Sequence, residues 1–322
     1  MNTGSYSLAF VLPVHNEEKN LPELYAKIRE VCRQQGYTYE VIFVDDGSTD
    51  GSFAEITKIA QGDSNVRAVQ FRRNFGQTAA MSIGIRTSRA PYIVTLDSDL
   101  QNDPADVPAM LKKMEEGFDV VSGWRKSRQD NLLKTIPSRI ANRLISHVTG
   151  VRISDFGCTL KVYKREYLEG VPLYGEMHRF MPVFAAWHGA KVAELPVHHN
   201  PRQHGKSHYG IDRTLRVILD LFTVKFLHTY ISRPMHFFGG FGVLFMSGGF
   251  VAGVVAVVLK LMAVRDFVGT PLPLLSVFLL TVGALFILMG LLAELLIRIY
   301  FSQEGRQAYH IHTMINTPSL DA

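Results

Sequence analysis

Cysteine is almost missing from this chain of 322 residues: Cys32 and Cys158 are the only two. That is too few for a disulfide framework or a cysteine-rich zinc site, and a reducing compartment follows as the default. The first ten residues lack the basic start and long apolar core of a secretory signal, so the N-terminal part is expected to stay untranslocated. Both glycine cradles for a pyrophosphate are missing too. Pro13-Val14-His15-Asn16-Glu17 stands where G-x-G-x-x-G would follow a first strand, and no G-x-x-x-x-G-K-[ST] loop occurs. There is no internal repeat and no low-complexity linker. Charge is sparse, with 34 Lys+Arg against 29 Asp+Glu, a net +5, and charged residues at 20%. With 47% hydrophobic residues this excludes a disordered or collagen-like chain. No nucleic-acid partner is expected.

Long apolar runs are present, both in the last third. Pro234 to Leu259 is 26 residues without a formal charge, and Pro271 to Ala293 is another 23. Crossing hydrocarbon takes about 20 apolar residues at about 1.5 Å each, so both are long enough. A buried helical hairpin in a soluble protein is the alternative, but two adjacent runs are hard to hide in one core. The reading is a transmembrane hairpin. Arg213, Arg216, Lys225 and Arg233 precede it and Arg298 and Arg306 follow, against Lys260 and Arg265 in the turn. That excess puts both chain ends in the cytoplasm. Leu215 to Ile231 has its apolar residues at helical spacing and suits an amphipathic helix at the membrane surface, with a core-facing helix as the alternative. Gly249 and Gly253 form a small-x-x-x-small pair, a hint of helix packing and of a homo-oligomer.

The first two hundred residues alternate between short apolar runs and helical stretches. Strands are expected over 7–14, 41–44, 66–71, 92–96 and 119–124. Helices are expected from the Asn20 cap to Gly36, after Asp50, over 77–87 and over 105–116. This is an α/β pattern, a mostly parallel sheet with helices on both faces. Ligands bind such sheets at the carboxyl ends of the strands. Three of those ends carry acids: Glu17 after the first, Asp45-Asp46 after the second, Asp97-Ser98-Asp99 after the fourth. Helix capping explains Asp50 and Asp45. It explains Asp97 and Asp99 poorly, because two acids flanking one residue can converge on one cation. Mg²⁺ or Mn²⁺ suits a few carboxylates plus substrate phosphates. The substrate so implied is a nucleotide-diphosphate sugar.

Val11-Leu12-Pro13-Val14-His15-Asn16-Glu17, Val44-Asp45-Asp46-Gly47-Ser48, Asp97-Ser98-Asp99-Leu100-Gln101 and Asp155-Phe156-Gly157-Cys158-Thr159-Leu160 together resemble the family 2 glycosyltransferases of the GT-A fold. Within them the chain is similar to the polyprenyl-phosphate glycosyltransferases, relatives of dolichol-phosphate mannose synthase and of the bacterial undecaprenyl-phosphate enzymes. The Q-x-x-R-W motif of processive synthases is absent; the only tryptophans are Trp124 and Trp187.

The resemblance implies a Rossmann-like GT-A domain over 1–212 and an interfacial helix over 213–233. A hairpin over 234–297, with spans 234–259 and 271–293, and a cytoplasmic tail over 298–322 complete the chain. Donor contacts are implied for Pro13, His15, Glu17, Val44, Asp46, Asp97, Ser98, Gln101, Arg202, Lys206 and Ser207. Asp97, Asp99 and Gln101 are the implied metal set, and Arg125 faces the phosphates. Asp155 corresponds to an active-site acid, with a cap or salt bridge as the equal alternative, and Cys158 reads as a small buried residue. Lys134, Ser138 and Arg139, on a helix over 132–150, are implied for the acceptor phosphate; a plain surface helix is the alternative there.

The implied activity is inverting transfer of a sugar to polyprenyl phosphate at the inner (cytoplasmic) membrane, by a multi-pass protein with a cytoplasmic catalytic domain. The lipid-linked product would serve cell-envelope glycan synthesis or lipid A modification. A membrane-tethered transferase acting on another acceptor, and a non-enzymatic membrane scaffold, are the rival readings. An intact D-x-D argues against the scaffold, since paired acids without an ion are an electrostatic cost.

Overall fold

The computed structural model describes residues 7–126, 142–143, 145–171, 173, 175, 177–201, 234–302 and 311–316. The chain divides into two compact units, Met1–Leu221 with Gln307–Ala322, and Phe222–Arg306.

In the first unit, β1 (Leu8–Val14), β2 (Tyr39–Asp45), β3 (Val66–Phe71) and β4 (Tyr92–Thr95) are parallel neighbours, with β1 between β2 and β4. Their apolar runs are continuous because helices cover both faces, and Val41, Ile42, Phe43 and Val44 are fully buried. Phe10, Leu12 and Phe43 pack on one face with α1 (Leu21–Gln35) and α2 (Ser52–Gly62). Val11, Ile42 and Val44 pack on the other with α3 (Gln77–Thr87). A Cβ at Gly84 would collide with Val11, so the glycine lets α3 lie close on the sheet.

α4 (Val107–Glu115), preceded by a 3₁₀ turn at Pro104–Asp106, leads into β5 (Val120–Trp124). Three further strands complete an eight-stranded sheet in the order β7-β5-β6-β4-β1-β2-β3-β8. β6 (Lys161–Lys164) runs antiparallel between β4 and β5, and β7 (Val192–Pro196) is parallel to β5 after α5 (Met181–Trp187). β8 (Ile311–Ile315) adds antiparallel to β3, and the Asn316 amide donates to the Ala60 and Val66 carbonyls at 2.9 and 3.0 Å. Part of the C-terminal tail is therefore an edge strand of the first unit. The local pattern gave no such signal, because an edge strand of five residues is specified by its partner.

The second unit contains α6 (Pro234–Leu261) and α7 (Leu272–Ser302). Met235–Leu261 and Leu272–Leu296 are each long and apolar enough to cross a membrane. Glycines set their approach. A Cβ on Gly283 would lie 2.8 Å from the Gly242 carbonyl oxygen, and one on Gly249 3.0 Å from the Ser276 carbonyl oxygen. The Ser276 hydroxyl donates to the Gly249 carbonyl at 2.7 Å. Gly249 and Gly253 thus pack against α7 of their own chain, so their spacing is satisfied without a second copy. Val243, Leu244, Phe250, Leu274 and Val277 point outward and are exposed.

Candidate active site

The acids predicted at three strand ends do meet, because β4, β1 and β2 are neighbours. They open onto one cleft of about 310 Å³. Pro13, His15, Glu17, Asp46, Asp97, Ser98, Asp99, Gln101 and Arg125 all line it, from separate parts of the sequence.

Asp46 holds the floor at one end. Its two carboxylate oxygens accept the backbone N–H groups of Phe75 and Gly76, at 2.6 and 2.9 Å. Burial pushes its carboxyl above the ordinary range, while those two bonds and nearby His15 oppose the rise. This docking needs Gly47, whose φ is +66° and whose absent Cβ would run into the Arg73 and Asn74 backbone. His15 Nδ1 lies 3.0 Å from the Asp46 carbonyl oxygen, and the Ser98 hydroxyl ties β4 to β1 by donating to the Pro13 carbonyl at 2.8 Å. Asp45 turns away from the cleft's chemistry. It accepts from the Ser48 N–H and the Gln70 amide at 3.2 and 3.1 Å, which shapes the turn.

Asp97 is half-buried at the cleft and accepts from the Gln77 amide at 2.6 Å. Burial first, and the charge of Asp99 second, push it up to about 6, against a hydrogen bond from Thr159 and the positive charges of Arg125 and Lys161. Asp99 accepts from the Gln101 N–H at 3.2 Å. Leu100 between them has φ +61° and is buried, so core packing of a left-handed leucine anchors the loop that carries Asp99 and Gln101. Among the described residues no three His, Cys, Asp or Glu side chains gather as a metal site. Two hard carboxylates that repel each other at the mouth of a polar cleft nevertheless suit a divalent cation whose remaining ligands come from a substrate.

Arg125 and Asp155 form a buried bidentate pair, Nε to Oδ2 at 2.7 Å and Nη2 to Oδ1 at 2.9 Å. Arg125 still lines the cleft. Asp155 makes the salt bridge that is one of the two readings for it, and the Gly157 N–H also donates to it at 3.2 Å. Val44 is a correction: its side chain is fully buried in the core facing α3 and does not line the cleft. Cys158 is buried, which pushes its thiol up to about 11, as befits a packing residue. Arg73 stacks its guanidinium on the Phe75 ring, 4.5 Å from the centroid. Arg202, Lys206 and Ser207, and Lys134, Ser138 and Arg139, lie outside the described residues.

Sequence reading gave no role to the polar cleft residues Asn74, Gln77, Asn102 and His199. Asn102 pairs with His199 in an isolated bridge, which brings the segment after β7 to the strand-four end of the cleft. Only the folded sheet shows this, since the two are 97 positions apart.

The model of Glycosyl transferase family 2 matches residues 9–171, which contain the sheet core and the acid pair. The chain is 39% identical to a dodecaprenyl-phosphate galacturonate synthase of Rhizobium johnstonii, over 98% of this chain and 95% of that one. It is 35% identical to an undecaprenyl-phosphate 4-deoxy-4-formamido-L-arabinose transferase of Salmonella paratyphi B, over 96% and 93%. The chain belongs to glycosyl transferase family 2. It is a glycosyltransferase, and its sheet is that of the GT-A fold. Two solved structures share that fold. Glucosyl-3-phosphoglycerate synthase of Mycobacterium tuberculosis, in complex with Mn²⁺, UDP and phosphoglyceric acid, superposes with a TM-score of 0.54 at 18% identity, covering 68% of this chain and 78% of its own. Mannosyl-3-phosphoglycerate synthase of Rubrobacter xylanophilus gives 0.54 at 14%, covering 69% and 74%.

Proposed function

We propose that this family 2 enzyme transfers a sugar from a nucleotide-diphosphate sugar to a polyprenyl phosphate at the cytoplasmic face of the inner membrane. The observation that carries the reading is one chain holding both a carboxylate-lined GT-A cleft and two helices long enough to cross a bilayer. The names of the two relatives, both polyprenyl-phosphate enzymes matched along nearly the whole chain, support it. They name different sugars, so they leave the sugar open.

In this reading the nucleoside lies toward His15, Glu17 and Asp46, and the diphosphate lies between Asp97, Asp99 and Arg125. Asp97 and Asp99, with Gln101 beside them, would hold Mg²⁺ or Mn²⁺. When bound, the ion supplies positive charge to the leaving diphosphate. Arg125 adds a fixed charge there, and Asp155 holds its guanidinium in place, so no reorganisation is needed during reaction. A polyprenyl phosphate is already anionic at neutral pH, so its oxygen attacks the anomeric carbon without a general base. The bond from that carbon to the diphosphate breaks as the new one forms, which inverts the anomeric centre. Lys134, Ser138 and Arg139 are proposed to receive the acceptor phosphate, and Arg202, Lys206 and Ser207 to close on the donor.

Membranes containing the chain, given labelled nucleotide sugars and undecaprenyl phosphate, should move label into the lipid extract. Label moved only to a soluble acceptor would favour the membrane-tethered alternative, and no transfer with any acceptor would favour the scaffold.

A further inference from the structure

Neutral donors close on Asp97 from two sides. Gln77 is the first residue of α3, and its amide donates to Asp97 Oδ1 at 2.6 Å. Thr159 gives Asp97 a second hydrogen bond, from its hydroxyl. The Asn102 amide donates to that hydroxyl at 3.0 Å, so the oxygen accepts there and its proton is left for Asp97. On the transfer reading, which this inference rests on, Asp97 is one of the two acids that hold the divalent cation. We infer that Gln77 and Thr159 are positioning residues for that cation: they fix the orientation of the Asp97 carboxylate before the cation arrives, and so set its affinity.

Rigidity is the first argument, because both donors are themselves held. Asp46 accepts the N–H groups of Phe75 and Gly76 at 2.6 and 2.9 Å, which fixes the turn directly before Gln77. Thr78, directly after it, is buried; its hydroxyl donates to the Gly175 carbonyl at 2.6 Å and lies 2.7 Å from His178 Nδ1. Gln77 thus reaches Asp97 from a backbone pinned on both sides. Thr159 is fastened through its carbonyl, which accepts from the buried Thr95 hydroxyl of β4 at 2.7 Å.

Chemistry is the second. A carboxylate has about four lone-pair sites, so two donors leave room for a metal ion. The charges of Arg125 and Lys161 are felt at Asp97, but the hydrogen bonds to it come from an amide and a hydroxyl. A cation bonded there would satisfy Asp97 more strongly and compete with the metal. Neutral donors orient the acid and leave its charge. Carrying no charge, Gln77 and Thr159 add nothing to the Coulombic attraction, so their effect on affinity comes through orientation. Hydrogen bonds that orient a metal ligand in this way are typically worth about 10–100-fold in affinity or activity.

The test is a Mn²⁺ titration of the full chain in lipid nanodiscs, without donor, read by the electron paramagnetic resonance of free Mn²⁺. The buffer is held well alkaline of the value of about 6 for Asp97, so that the acid stays ionised. Gln77→Met keeps the length and removes the donor, and Thr159→Val keeps the shape and removes the hydroxyl. Each should weaken Mn²⁺ binding by about 10-fold or more. Thr159→Ser restores the hydroxyl and should stay near the wild-type affinity. Turnover of Gln77→Met should fall at limiting Mn²⁺ and recover as Mn²⁺ is raised, moving the KM for Mn²⁺ more than kcat. Either variant tests the inference if the other fails to fold. An affinity unchanged in Gln77→Met, or raised because the amide had stood in the cation's way, would overturn it. Equal losses in Thr159→Val and Thr159→Ser would do the same, since shape and not the hydroxyl would then matter. Binding retained in Asp99→Asn would place the ion elsewhere and sink the inference too. Wild-type protein that binds Mn²⁺ and transfers sugar, with Gln77→Met unchanged, would strike this inference alone. The expected losses in a protein that moves no sugar to undecaprenyl phosphate would leave it standing and fail the transfer reading.

Discussion

Among single residues, Asp97 and Asp99 could be found from sequence because two acids at a strand end have no ordinary structural use. Asp155 could not be assigned, because its partner Arg125 is 30 positions away and only the sheet brings them together. Their pair predicts a specific failure. Asp155→Asn leaves a buried guanidinium uncompensated, which should cost about 3–5 kcal/mol in unfolding free energy. It should also lower kcat by at least about 100-fold, since a misplaced charge no longer meets the diphosphate. Denaturant unfolding and turnover of the same variant check both; a stable, active Asp155→Asn would mean that Arg125 holds itself. Asp97→Asn should behave in the opposite sense for stability. It removes one of two repelling carboxylates, so the melting temperature in EDTA should rise while transfer is abolished. A fall in Tm with activity retained would remove Asp97 from the site.

At the level of elements, the central strands and their helices were legible because a buried parallel strand is a continuous apolar run and each helix shows its 3.6-residue period. β6, β7 and β8 were not. Four or five residues each, at or near an edge or antiparallel among parallel neighbours, they depend on partners that no local pattern names. β8 gives the sharpest test. Asn316 has φ +56° and donates two hydrogen bonds to the first unit. Asn316→Ala loses both and adds left-handed strain, about 1–3 kcal/mol together. Asn316→Gly loses the bonds but not the conformation and should cost less. Unfolding curves in which the two variants are equal would show that the strain counts for nothing. In the hairpin, Gly283→Val should push α6 and α7 apart, since its Cβ would meet Met246 Cγ at 2.5 Å. A lower melting temperature in detergent is expected, and an unchanged one would mean that the helices do not need this approach.

For the whole molecule, one chain joins a cleft for a water-soluble donor to helices of bilayer length, and returns to the first unit through β8. Cutting the chain before the hairpin would remove β8 as well. Deleting 234–302 with a flexible linker in its place separates the two effects. Such a protein should bind donor normally but lose activity on bilayer-embedded acceptor, because anchoring supplies the effective concentration of enzyme at the acceptor surface. Equal rates with and without the hairpin would mean that it serves something other than catalysis. The central claim is a single displacement by a lipid phosphate in the cleft at Asp97 and Arg125. The most direct measurement is the anomeric configuration, by ¹H and ³¹P NMR, of the lipid product made by purified full-length protein from an α-linked nucleotide sugar and undecaprenyl phosphate. The account predicts a β-linked sugar phosphodiester, formed by the wild type and absent with Asp99→Asn. An α-linked product, or release of free sugar with the lipid unmodified, would contradict it.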